Sequence, residues 1–108
     1  MKNTRALAGL PPEVRTALAK LGADLSLARR RRRISVQAMA ERTFTSRATI
    51  ARVERGDPRV SMAIYASVLF VVGMIENLLD IAEPSLDEQA GELDVARIPL
   101  RVRGRARR

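Results

Sequence analysis

The chain of 108 residues contains no Cys, no His and no Trp, and its only aromatic residues are two Phe and one Tyr. The absence of Cys excludes disulfides, thiolate nucleophiles and zinc fingers. The absence of His removes the commonest general base and metal ligand, and the sequence also lacks a GxGxxG motif and a P-loop lysine. We therefore expect no enzymatic activity, no catalytic residues, no cofactor and no metal.

Long hydrophobic runs are also missing. The first 25 residues lack the apolar stretch of a signal peptide, and the uncharged stretch at 60–75 is too short to span a membrane. Apolar residues nevertheless make up 46% of the chain, enough for one small domain with an aliphatic core. We expect a cytoplasmic, nucleoid-associated protein with no membrane partner.

Charge divides the chain into three blocks, which together give a net charge of +8. Residues 1–59 carry 14 cations and five acids, residues 60–96 carry seven acids and no cation, and residues 97–108 carry six Arg and no acid. A polyanion would meet the first block, would be repelled by the second, and could meet the third. This segregation favours nucleic acid as the partner.

The apolar spacing predicts an all-α domain. A first helix begins near Pro11 and ends near Arg32, and its apolar face recurs every three or four residues, at Val14, Leu18, Leu21, Leu25 and Ala28. Serine caps and glycine or proline stops predict four further helices, at about 36–43, 47–55, 61–72 and 74–82. Gly22 is expected to weaken the first helix by about 1 kcal/mol relative to Ala.

The segment 35–56 reads SVQAMAERTFTSRATIARVERG and predicts two short helices joined by a turn of about four residues. The second helix would bury Ile50 and Val53 and present polar side chains elsewhere, which is the helix-turn-helix pattern. A helix fits the major groove of DNA, and long polar side chains near its N-terminus can reach base edges. The motif therefore predicts a DNA-binding unit.

At these residues the chain resembles the Xre/Cro-type, lambda-repressor-like helix-turn-helix family. The likeness covers about residues 17–82 and is strongest at SRATIARVERG, 46–56, which is similar to the family stretch S-x-x-T-I-S-R-I-E-x-G. The resemblance implies a compact bundle of five helices, followed here by a basic C-terminal tail. We divide the chain into a flexible N-terminus at 1–12, a DNA-binding and dimerisation domain at 13–83, and an acidic linker with an Arg-rich tail at 84–108.

The resemblance also implies roles for individual residues. The implied DNA contacts lie on both helices of the motif and the turn between them: Ser35, Gln37, Thr45, Ser46, Arg47, Thr49, Arg52 and Arg55. Arg29 and Glu54 match a pair that the family uses as a structural ion pair between helices.

Three residues depart from the family pattern. Val36 stands where the family usually has a DNA-contacting Gln, and Arg33 and Phe44 stand where it has glycines. A bulky residue is costly at positive φ, so we expect the turn at Phe44 to be rebuilt, with Phe44 packed on the core.

The family usually acts as a dimer on pseudo-palindromic operators. The uncharged helix within 60–75 is apolar on several faces, which indicates a buried or interface helix. Family spacing places Met62, Tyr65, Val68, Leu69 and Val72 inward. The predicted homodimer surface is then formed by Ile64, Phe70, Val71 and Ile75. A wider single-chain core, completed by the C-terminal segment, is the alternative.

These observations lead to the hypothesis of a dimeric, sequence-specific transcriptional regulator that binds double-stranded operator DNA and represses its own gene. The small size, recognition helix and Arg-rich tail also resemble HipB-like antitoxins, which bind a HipA-type kinase toxin. The alternative is a module that neutralises a partner protein and binds DNA only non-specifically. The tail, in which Ile98, Leu100 and Val102 alternate with other residues including Arg, could contact DNA, a partner or the acidic stretch, or stay disordered.

Overall fold

The computed structural model describes residues 4–91 and 95–104, and every regular element within those ranges is helical. The α-helices are α1 (Thr4–Ala8), α2 (Pro12–Arg31), α3 (Val36–Arg42), α4 (Arg47–Glu54), α5 (Met62–Val71) and α6 (Glu76–Leu79), and short 3₁₀ helices cover Pro84–Leu86 and Val95–Arg97. The predicted all-α fold is confirmed. Helices α2 to α6 are the five expected helices, whereas α1 was not predicted from the sequence.

Serine side chains set the N-termini of three helices. The hydroxyl of each serine accepts a hydrogen bond from the backbone N–H three residues later, at 3.0 Å for Ser35, 3.1 Å for Ser46 and 3.3 Å for Ser61. Each bond satisfies a backbone donor that has no partner within the helix. The beginnings of α3, α4 and α5 therefore follow directly from the sequence.

The last predicted helix is shorter than expected. Only Glu76–Leu79 is α-helical, because the N–H groups of Asp80 and Ile81 bond to carbonyls three residues earlier rather than four. The acidic segment beyond it is exposed in the part that the structure describes, apart from half-buried Glu83. Within the described ranges, no helix combines the length and the apolar character needed to cross a membrane.

Four helices end in the same backbone motif, with a left-handed residue directly after the C-cap. Those residues are Arg33 (φ 57°), Phe44 (φ 56°), Gly56 (φ 72°) and Gly73 (φ 77°). Each donates its N–H to a carbonyl three residues back, and the following residue donates to a carbonyl five residues back, which is the Schellman arrangement. The expected rebuilding of the turn at Phe44 is therefore wrong, because the turn keeps the backbone that glycine favours.

The core lies between α2, α3, α4 and α5. Its buried apolar side chains are Leu25, Ala28, Met39, Ala40, Ile50, Val53, Tyr65, Val68, Leu69 and Val72. Two residues predicted to point inward do not: Val14 is exposed and Met62 is 71% exposed. Both lie in the first turn of their helix, ahead of the buried residues that each helix contributes.

Helices α2 and α4 meet at two glycines. A Cβ on Gly22 would lie 2.5 Å from the backbone nitrogen of Gly56 and 2.6 Å from the carbonyl oxygen of Val53. A Cβ on Gly56 would lie 2.1 Å from the carbonyl oxygen of Leu18. Gly22 is therefore more than a weak point in α2, because it allows the two backbones to approach this closely.

Candidate nucleic-acid interface

Helix α4 has one buried face and one exposed face. Ile50 and Val53 are completely buried and anchor the helix on the core. The exposed residues of α4 and its C-cap are Arg47, Ala48, Ala51, Arg52 and Arg55. Three long guanidinium side chains thus share this face with two alanines, which leave room for the helix to approach a groove.

The exposed arginines of this helix are available to a ligand. Within residues 4–91 and 95–104, Arg47, Arg52 and Arg55 form no ion pair. A guanidinium is always charged and carries five N–H donors, whose fork matches phosphate oxygens and the edge of guanine. Residues 29–59 contain ten Arg and three acids, so the whole segment carries a net charge of +7.

Hydroxyl groups flank the N-terminus of α4. The Ser46 and Thr49 hydroxyl oxygens lie 3.1 Å apart, and the Ser46 oxygen also accepts the Thr49 backbone N–H. The two hydroxyls hold two protons and share one bond between them, so one O–H can still donate outward. Ser35 caps α3 in the same way and keeps its own proton for an outside acceptor. Such a donor suits a phosphate oxygen.

Two other predicted DNA contacts have partners inside the protein. The Thr43 hydroxyl donates to the carbonyl of Met39 at 2.7 Å, so in the 3.0 Å bond between Thr43 and Thr45 the Thr45 hydroxyl is the donor. Thr45 therefore has no proton left for a phosphate. The Gln37 side-chain amide donates one of its two N–H groups to the Glu41 carboxylate at 3.0 Å. The negative charge of Glu41 therefore lies directly beside Gln37.

The ion pair implied by the resemblance joins the helix-turn-helix motif to the helix before it. Arg29 donates from Nε to Glu54 at 2.6 Å and from a second nitrogen at 3.1 Å, and it also donates to the Ile34 carbonyl at 2.9 Å. The hydrogen bond to Glu54, more than the charge itself, raises the pKa of Arg29. The pair ties α2 to α4 and to the turn before α3, so its role here is positional.

The loop between α4 and α5 contains an interaction that sequence reasoning missed. The buried Asp57 carboxylate accepts hydrogen bonds from the Arg59 backbone at 2.8 Å and from its guanidinium at 3.0 and 3.1 Å. These bonds hold the pKa of Asp57 below its ordinary value. The Tyr65 hydroxyl donates to the Asp57 carbonyl at 2.8 Å. The Asp-Pro-Arg sequence is a turn signal that could have indicated this loop.

Phe44 does not pack on the core. Its side chain is 95% exposed in the turn between α3 and α4, so the expectation of a packed residue is wrong. The physical reason is the left-handed backbone at this position, which continues the chain into the cap of α4 and leaves the ring in solvent.

The four residues predicted to form a dimer surface separate into two groups. Ile64, Val71 and Ile75 are half-buried against the core of their own chain, whereas Phe70 is 69% exposed. Other exposed apolar side chains follow Phe70 in the chain: Met74, Leu79 and Ile81. The structure thus places the exposed apolar surface further toward the C-terminus than the sequence predicted.

Two short helices joined by a tight turn, with the second helix anchored by apolar residues and exposing arginines on its other face, define a helix-turn-helix DNA-binding domain. A profile of the helix-turn-helix domain matches residues 20–81, more than half of the sequence, and the chain belongs to this family. Domains of this class are typically non-enzymatic. No curated protein and no solved structure matches the chain.

Proposed function

We propose that the protein is a dimeric transcriptional regulator that binds a pseudo-palindromic site in double-stranded DNA, sequence-specifically, and represses its own promoter in the cytoplasm. The observation that carries this proposal is the exposed face of α4, where Arg47 and Arg52 form no ion pair with any residue that the structure describes, on a helix anchored by Ile50 and Val53. A cationic helix with a rigid base can enter a major groove without losing its position on the domain.

The two arginines would have different tasks. Five helical residues separate them by about 7.5 Å along the axis and by about 140° around it, so they cannot contact the same base pair. Arg47 lies in the first turn of α4, the end of a recognition helix that meets base edges, and we assign it to a guanine. Arg52 and Arg55 lie in the last turn and at the C-cap, and we assign them to flanking phosphates.

Dimerisation would place two such helices in successive major grooves, about 34 Å apart. Exposed Phe70, Leu79 and Ile81 support this part of the proposal, because apolar side chains clustered in one short segment favour association. Repression then follows from occupation of the promoter.

The first experiment measures binding by fluorescence anisotropy to the DNA upstream of the gene and to unrelated DNA, at two salt concentrations. We expect preference for the upstream fragment. In Arg47→Ala, loss of a bidentate base contact should cost about 1–3 kcal/mol and relax the preference at one base pair. In Arg52→Ala, loss of a phosphate contact should weaken binding to all sequences. It should also reduce the slope of log affinity against log salt concentration by about one.

Arg101→Ala is the charge-matched control, since it removes one exposed cation, as each of those variants does, without touching α4. It should keep the preference for the upstream fragment. Equal binding of wild type to both DNAs, with complete release by salt, would show that net charge alone accounts for the affinity and would exclude the operator proposal.

An antitoxin role is the second candidate. The exposed side chains of Leu100 and Val102, set among arginines in the C-terminal tail, favour a protein partner for that segment. Co-expression with a HipA-type kinase from the same genome tests it: a stable complex that is lost on deletion of 97–108 supports the role. Failure to form a complex with the full chain excludes it and leaves the DNA-binding proposal unaffected.

A further inference from the structure

The most unusual residue of the interface is Phe44. Its ring is 95% exposed and its φ is 56°, in the turn between α3 and α4. The equivalent positions after α4 and α5 are occupied by Gly56 and Gly73. The same chain thus uses glycine in two of its Schellman turns and a bulky aromatic in this one.

Phe44 is unfavourable for the free protein in two separate ways. A left-handed conformation is unfavourable for a side chain with a Cβ, and an exposed ring leaves its apolar surface in water. Nothing within the described residues offsets either cost, because an almost fully exposed ring has almost no packing. A contact outside the chain would offset both.

We infer that Phe44 is an apolar DNA contact at the edge of the half-site, where its ring packs on thymine methyl groups or on the deoxyribose surface of the groove wall. This inference rests on the proposed function. Phe is one of the side chains that recognise the thymine methyl group by apolar contact.

Position favours DNA over a protein partner. Three chain steps separate Phe44 from Arg47, so their Cα atoms lie at most about 11 Å apart. The N-terminal end of α4, with its Ser46 cap, is the end that would face the groove. Arg42 and Arg47 are the nearest charged residues on either side of Phe44, and both are exposed, so they attract phosphate. The exposed apolar segment suited to a protein, by contrast, lies beyond Phe70.

An apolar contact has a distinct signature. A lysine or arginine that binds phosphate makes affinity depend on salt, because it releases counterions, whereas a phenyl ring releases none. Loss of Phe44 should therefore weaken binding equally at low and high salt. Loss of Arg52 should weaken it mainly at low salt.

The test compares Phe44→Gly, Phe44→Asn and Phe44→Leu with wild type, by thermal melting and by anisotropy on the upstream fragment at two salt concentrations. Gly and Asn tolerate the left-handed backbone, so both variants should melt a few degrees higher than wild type, roughly 3–6 °C. Both should bind the fragment about tenfold more weakly at both salt concentrations. Phe44→Leu should keep most of the affinity.

Leu86→Ala is the matched control, because it removes an exposed apolar side chain outside the helix-turn-helix motif and should bind as wild type does. Thymine-to-uracil replacement identifies the surface contacted. A loss of affinity for wild type but not for Phe44→Gly places the ring on a methyl group, and unchanged affinity of wild type places it on deoxyribose.

The measurements distinguish a failure of the Phe44 contact from a failure of the proposed regulator function. If Phe44→Gly and Phe44→Asn bind as tightly as wild type while Arg47→Ala loses its preference, Phe44 does not contact DNA, although the regulator proposal stands. If wild type itself has no preference for the upstream fragment, the regulator proposal fails and the inference fails with it.

Discussion

Two residues that carry a side chain adopt the left-handed backbone conformation, which is unfavourable for any residue with a Cβ. Arg33 and Phe44 both hold φ values near 57°, in the turns before and after α3. For an L-residue this conformation costs roughly 1–2 kcal/mol, a cost that glycine avoids. Both residues are exposed, so neither gains packing in return.

Arg33→Gly should therefore stabilise the domain by about 0.5–1 kcal/mol, which corresponds to a rise of a few degrees in melting temperature. Gly73→Ala is the opposite change, at a position where an added Cβ would have no described atom within 4 Å. It should destabilise by about 1 kcal/mol through the backbone alone. Urea denaturation measures both, and an unchanged midpoint for Arg33→Gly would mean that the turn carries no strain.

Asp57 makes the stability depend on pH. Its pKa is lowered in the folded state by hydrogen bonds from Arg59, so the folded protein holds the deprotonated form more strongly than the unfolded chain does. The resulting stabilisation is present above the ordinary aspartate pKa of about 3.9 and is lost as the pH falls through the lower folded value.

Urea midpoints at pH 7 and pH 3 should therefore differ less for Asp57→Asn than for wild type, because the variant has no carboxylate to protonate. Glu88→Gln, which removes an exposed acid, is the control and should follow wild type. Identical pH dependence in wild type and Asp57→Asn would exclude a role for the Asp57 carboxylate in acid unfolding.

At the scale of elements, the packing of α2 on α4 depends on the absence of a side chain at Gly22. Alanine favours a helix by about 1 kcal/mol over glycine, yet its Cβ would lie 2.5 and 2.6 Å from backbone atoms of the α4 end. Backbone cannot move aside as a flexible side chain can, so the overlap outweighs the propensity.

Gly22→Ala should consequently destabilise the domain by about 2–3 kcal/mol, measured by chemical denaturation. The neighbouring change Ala23→Gly, at an exposed position of the same helix, should cost only about 1 kcal/mol. If Gly22→Ala is as stable as wild type or more so, α2 and α4 are further apart than the structure places them.

The Arg29–Glu54 pair connects the same helices by polar contacts. Its side chains are only 11% and 14% exposed, whereas those of the Lys20–Asp24 pair are 76% and 58% exposed. Removal of one partner leaves the other partly buried without its charge or hydrogen bonds, so Glu54→Ala should cost about 2–3 kcal/mol. Asp24→Ala should cost less than about 0.5 kcal/mol. Equal losses of stability in the two variants would show that the Arg29–Glu54 pair stabilises the fold no more than an exposed ion pair does.

At the scale of the whole molecule, charge and apolar surface are separated along the chain. Residues 29–59 have a net charge of +7, whereas 60–96 hold seven acids and no cation. The exposed apolar side chains Phe70, Leu79 and Ile81 lie in the acidic half. Such a division lets one part of the molecule meet a polyanion while another part associates with a second copy.

Phe70→Glu should therefore reduce dimerisation, measured by sedimentation equilibrium, and should weaken DNA binding only as a consequence. Phe44→Asn removes an exposed ring from the basic part of the chain and should leave the dimer intact while weakening DNA binding. The pair of variants thus separates the two surfaces. A monomeric wild-type protein at micromolar concentration would contradict the dimer proposal directly.

Features that depend on neighbours along the chain were predictable from sequence. Ser35, Ser46 and Ser61 stand directly before apolar periodic segments, and each caps a helix. The burial of Ile50 and Val53 follows from helical periodicity combined with the motif. Caps, periodicity and turn residues are local, because the atoms that interact are only a few residues apart.

Features that depend on distant backbone were decided by tertiary structure alone. The necessity of Gly22 became visible only when Gly56, 34 positions later, was placed beside it. Met62 was likewise left exposed where packing on the other helices was expected. A sequence states which residues are apolar or polar, but helix packing decides which surface each one meets, because contact across helices depends on the orientation of whole elements.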